Sequence, residues 1–115
     1  MKKTTTTKKA SGPLMLRQGD VLITRIDALP ANLTPVKRTT RGVVLAEGEV
    51  TGHAHRIPSR HASLYRTEND ARYMRVTAPV QLKHEEHSTV TIPAGKYLVS
   101  IHTEYSPEAV RQVED

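Results

Sequence analysis

Cysteine is absent from these 115 residues. That excludes a disulfide scaffold and every thiolate metal site, so any bound metal must be held by His, Asp, Glu or water. Phe and Trp are absent too, and Tyr65, Tyr73, Tyr97 and Tyr105 are the only large aromatic side chains. The core must therefore be built from Val, Ile, Leu, Met and Tyr. A thin core of this kind is commonly supplemented by a metal, a partner surface or self-association, and a homo-oligomer or a protein partner is expected here. No stretch approaches the ~20 apolar residues that span a bilayer. The first residues also lack the apolar run of a secretory signal. A soluble, cytoplasmic protein without membrane contact is the expectation.

Acidic residues are missing from the start of the chain, and this accounts for most of the net charge of +5. Lys2, Lys3, Lys8 and Lys9 stand alone there, so of 17 Lys and Arg residues 13 remain to face all 12 Asp and Glu residues over 10–115. Most of the chain is close to neutral. Residues 1–13 are of low complexity with nothing to bury, and they read as a disordered basic arm. Residues 14–115 read as a single β domain. The arm could engage phosphate or an acidic partner.

What is present reads as short strands. Asp20–Ile26 and Gly42–Ala46 are β-branched runs bounded by Gly, Pro and Asp, the composition of buried strands. The segment between them, with Pro30, Asn32, Thr34 and Pro35, is expected to be a loop. Gly48 and Gly52 bracket a turn, after which His53–Ile57 runs extended until Pro58. Ala62–Thr67 and Ala71–Ala78 should form a hairpin across Glu68-Asn69-Asp70. Thr89–Pro93 and Lys96–Tyr105 look like a second hairpin, with Tyr97, Val99 and Ile101 on the core face. Ser106-Pro107-Glu108 carries the features of a helix start with room for one turn. The fold class is all-β: a small antiparallel barrel or sandwich of about seven to eight short strands.

Four of the six histidines fall in two short clusters, Gly52-His53-Ala54-His55 and His84-Glu85-Glu86-His87. On an extended segment His53 and His55 share a face about 6.6 Å apart at Cα, a spacing that suits chelation. Apolar Ile57 shares that face, so hydrogen-bonded core imidazoles are the competing reading. His84 and His87 converge only if the chain bends between Lys83 and Ser88. A metal site would draw on His53, His55, His84 and His87, with Glu86 or Glu104 as supporting group or base. Imidazole donors suit a divalent transition metal such as Zn, Fe or Mn, and an open coordination position would allow hydrolase or oxygenase chemistry.

Gly48-Glu49-Val50-Thr51-Gly52-His53-Ala54-His55 resembles the first motif of the cupins, a β-barrel family that commonly carries Fe, Mn or Zn. The likeness covers eight residues. It ends where the cupin pattern has a Glu soon after the second His and this chain has Ser59, Arg60 and His61. His84-Glu85-Glu86-His87 is one residue too short for the zincin helix motif. The pattern GEVTGHAH, HEEH, IPAGKY and EY, from Arg17 through Tyr105, resembles short uncharacterised bacterial single-domain proteins and implies no activity. The alternative to a metal protein is a non-enzymatic binding subunit of a larger complex. It would contact nucleic acid or a partner through the arm and the basic loops of Lys37, Arg38, Arg41, Arg56 and Arg60. The scarcity of stacking aromatics counts against nucleic acid.

Overall fold

The computed structural model describes residues 14–48 and 50–102. The basic arm 1–13, Glu49, Glu104 and the Ser106-Pro107-Glu108 segment lie outside the described residues. Ten strands run in order: β1 (Met15–Gln18), β2 (Val21–Ile26), β3 (Thr34–Pro35), β4 (Val43–Glu47), β5 (Ala54–Ile57), β6 (Ala62–Arg66), β7 (Arg72–Val76), β8 (Val80–Leu82), β9 (Val90–Ile92) and β10 (Gly95–Ile101). Among the described residues there is no helix.

Six strands form one antiparallel sheet in the order β1-β2-β10-β7-β6-β3. Its two edges, β1 and β3, do not meet, so the barrel is not closed. A second layer comes from two hairpins, β4-β5 and β8-β9. They are joined by one backbone bridge in which Arg56 N–H donates to Lys83 O at 2.9 Å and Lys83 N–H donates to Arg56 O at 2.8 Å. The arrangement is an open sandwich-like fold with more and shorter strands than the sequence suggested.

Alternation explains why these segments pair. In β2, Val21 and Ile23 are fully buried, whereas Leu22 and Thr24 face the other way and are half-buried. In β10, Tyr97 and Val99 are buried, with Leu98 and Ser100 facing the other way. These residues join Val43, Leu45, Ile57, Leu64, Met74, Leu82 and Ile92 in one apolar cluster drawn from both layers. Full burial of each aliphatic chain contributes about 1.5–3 kcal/mol. Tyr97, the largest fully buried side chain, satisfies its hydroxyl by donating to Pro93 O at 2.6 Å.

The expected β6-β7 hairpin is present, with Ala62 opposite Val76 and Arg66 opposite Arg72. The expected pairing of Thr89–Pro93 with Lys96–Tyr105 is not. β9 pairs with β8 in the small layer, and β10 crosses to lie between β2 and β7 in the large sheet. Val90 and Ile92 satisfy their backbone on the short Val80–Leu82 strand, and β10 buries more apolar surface at the centre of the six-stranded sheet. Ile101 sits at the rim of that sheet and is 51% exposed, rather than on the core face. Thr34–Pro35, read as loop, adds a two-residue edge strand to β6. Pro35 is tolerated there because an edge strand needs no donor on its open side.

Candidate metal centre

The bridge between Arg56 and Lys83 assembles the site. In an antiparallel pair, the residues flanking a bridged position also face one another. That register sets His55 of β5 across from His84, and their ring centroids lie 4.4 Å apart. After Lys83 the chain bends over Glu85–His87 instead of continuing as a strand. The bend brings His87 back over the pair, with ring centroids 4.6 Å from His84 and 5.6 Å from His55. The convergence that the sequence made conditional on a bend between Lys83 and Ser88 is realised.

One ligand atom from each of His55, His84 and His87 lies within 4.8 Å of the others. Three nitrogens bound tetrahedrally at 2.0–2.1 Å are about 3.4 Å apart, so a modest inward movement of the half-buried His84 and exposed His87 rings closes the set around an ion. His53 is not a member of this trio. Its Nδ1 lies 2.8 Å from Glu86 Oε2, a close polar contact whose angles leave that buried nitrogen without an aligned hydrogen bond. His53 nevertheless lines the same cleft, with its ring centroid 5.8 Å from that of His84. His61 and His102 are exposed and stand apart from the trio.

Glu85, between His84 and His87 on the bend, ties it to β5. Its Oε1 accepts from Ala54 N–H at 3.0 Å, and its Oε2 accepts from Arg56 at 2.9 Å, with Arg41 3.6 Å away. The Ala54 amide, with Arg56 adding to it, holds the Glu85 carboxyl below its ordinary range. Glu86 donates its backbone N–H to His84 Nδ1 at 3.0 Å.

Burial, with the nearby His84 and His87 rings adding to it, depresses the His55 pKa to about 4. His84 is lowered by burial first and then by His87. Both rings are therefore neutral near pH 7, the protonation state a metal ligand needs. A cleft of about 290 Å³ opens onto the trio, lined also by Gly19, Asp20, Glu47 and Glu86.

Sequence reasoning passed over two residues here. Gln18 is buried beneath His55, with its Oε1 2.8 Å from His55 Nδ1 and its Nε2 donating to Leu82 O and Ser88 O, both at 2.9 Å. Gly19, at φ +57°, passes so close that a Cβ there would stand 2.7 Å from His87 Nε2 and 3.2 Å from His55 Cε1. Gln18-Gly19-Asp20 carries no chemical signal in the sequence, and its position becomes informative only once Gln18 meets His55 and Gly19 meets His87.

The basic residues are largely committed to the chain itself. Arg38 donates to Ala62 O and Ser59 O, Arg41 to Gly52 O, and Arg56 to Glu85. Lys37 and Arg60 are exposed. No helix among the described residues is long and apolar enough to cross a membrane.

The family model described as Domain of unknown function (DUF8820) matches residues 17–102, and the chain belongs to that family. No curated protein and no solved structure matches it.

Proposed function

We propose that this DUF8820 member binds one divalent transition-metal ion, Zn, Fe or Mn, through His55, His84 and His87. The observation that carries the reading is the convergence of three imidazole donors within 4.8 Å. One of them is buried and neutral, and it comes from a different hairpin than the other two. Nitrogen donors without thiolate or a dense carboxylate set favour these ions over Ca or Mg.

Three protein ligands with an open position support water activation, or oxygen chemistry when the ion is redox-active. The cleft gives a small molecule access to that position. Glu86, beside His53 and outside the trio, is the carboxylate suited to accept a proton there. Hydrolysis is the reaction class these surroundings favour, because it needs only the ion, a water and a nearby base.

The test is metal content by elemental mass spectrometry on protein purified without chelator and on protein reconstituted with zinc, beside a His87→Ala variant. His87 is exposed, so its truncation should leave folding intact. Near-stoichiometric metal in the wild type and a large loss in the variant are expected. No uptake by wild type after reconstitution, or full retention by the variant, overturns the reading.

A further inference from the structure

Among the described residues Gln18 and His55 are the two buried polar side chains, and Gln18 is the more fully withdrawn from solvent. Its three contacts determine one another. Leu82 O and Ser88 O can only accept, so the end of the amide facing them is the NH₂ group. Oε1 is then turned to His55, and because it too can only accept, His55 Nδ1 must carry the hydrogen. A neutral imidazole protonated at Nδ1 keeps its lone pair on Nε2. The same amide grips the end of β8 at Leu82 and the residue after His87, so it braces both ends of the bend that bears His84 and His87.

We propose that Gln18 is the positioning residue of the histidine site: it sets His55 as the Nδ1–H tautomer with Nε2 free for an ion, and it holds the 83–88 bend so that the three rings converge before an ion arrives. Its purpose rests on the metal reading above, whereas its effect on the tautomer can be read in metal-free protein. An amide or carboxylate behind a ligating imidazole commonly governs affinity through ring orientation. Ordering the bend in advance removes an entropy cost from binding.

Long-range ¹H–¹⁵N spectra of the metal-free full chain report which His55 nitrogen bears hydrogen. Nδ1–H is expected, and Nε2–H overturns the proposal. Zinc affinity is then measured by competition with a chromophoric chelator for wild type, Gln18→Met and Gln18→Glu. Met retains length and volume without the amide, and Glu retains an acceptor for His55 but loses the NH₂ group. The expected pattern is a fall of about 10–100-fold for Gln18→Met, with mixed His55 tautomers, and a smaller fall for Gln18→Glu with the Nδ1–H tautomer kept. A folded Gln18→Met variant with wild-type affinity overturns the proposal. Should that variant not fold, wild-type affinity in Gln18→Glu overturns the bracing role. A wild type that takes up no zinc yet shows the Nδ1–H tautomer overturns the metal reading alone.

Discussion

Gly19→Ala, read against Gly52→Ala, separates backbone strain from damage to the histidine site. Both glycines have positive φ, +57° and +89°. An alanine in that region costs about 1–2 kcal/mol, partly offset by the roughly 0.4–1 kcal/mol by which alanine restricts the unfolded chain. Each variant should therefore lose up to about 1.6 kcal/mol of stability from the backbone alone. They part company at the side chain. A Cβ at Gly52 meets nothing within 4 Å, whereas at Gly19 it meets His87 Nε2 at 2.7 Å and His55 Cε1 at 3.2 Å. His55 is buried and cannot retreat, so exposed His87 must give way by several tenths of an ångström. Metal–nitrogen bonds tolerate only about 0.2 Å, so zinc affinity should fall at least about tenfold in Gly19→Ala and stay at the wild-type value in Gly52→Ala. Urea denaturation of the metal-free proteins and chelator competition provide the two readouts. Wild-type affinity in Gly19→Ala, or an equal loss in both variants, would refute the reasoning.

Further outcomes follow from the same contacts. His55 is held at about 4 against an ordinary value of 6.5, so below pH 6.5 the unfolded chain binds a proton that the native chain refuses. Stability of the metal-free protein should be full above pH 6.5 and decline as pH falls toward 4, by about 3 kcal/mol in all. Urea titrations across that range should show a clearly shallower slope in His55→Asn than in wild type, the remainder coming from the other shifted groups such as His84; identical slopes would contradict the assignment. Tyr97→Phe deletes the donor to Pro93 O and should cost about 1 kcal/mol with zinc affinity unchanged, as judged by denaturation and competition together. Glu85→Ala removes the acceptor for Ala54 N–H and the partner of Arg56, which should loosen the bend and weaken zinc binding severalfold. Glu85→Gln, which keeps an acceptor, should fall between that variant and wild type in the same assay.

The β class was written in the chain itself. β-branched runs at Val21–Ile26 and Val43–Glu47, Pro and Gly punctuation, and the polar link between Arg66 and Arg72 locate strands through local sterics and period-2 burial. The two histidine clusters stood out for the same reason: their residue types are rare and carry one chemistry. Partner choice for β9 and β10 was not legible, since adjacent strands joined by Pro93-Ala94 resemble a hairpin whether or not they pair. Which neighbour wins depends on apolar area offered by β2, β7 and β8, segments as far away as Val21 is from its partner Ile101.

The membership of the site was likewise a tertiary decision. Spacing favoured His53 with His55, because an extended segment places them on one face. The single bridge from Arg56 to Lys83 matches His55 with His84, the bend tied down by Glu85 adds His87, and His53 stands at the edge of the same cleft. Gln18 and Gly19 gain their roles only from the packing of a hairpin remote in sequence. Sequence alone determined the strand-forming material and the ligand chemistry, both of which are properties of single residues and their immediate neighbours. Only the folded chain decided which imidazoles meet and what stands behind them, because long-range hydrogen bonds and shared burial set those distances.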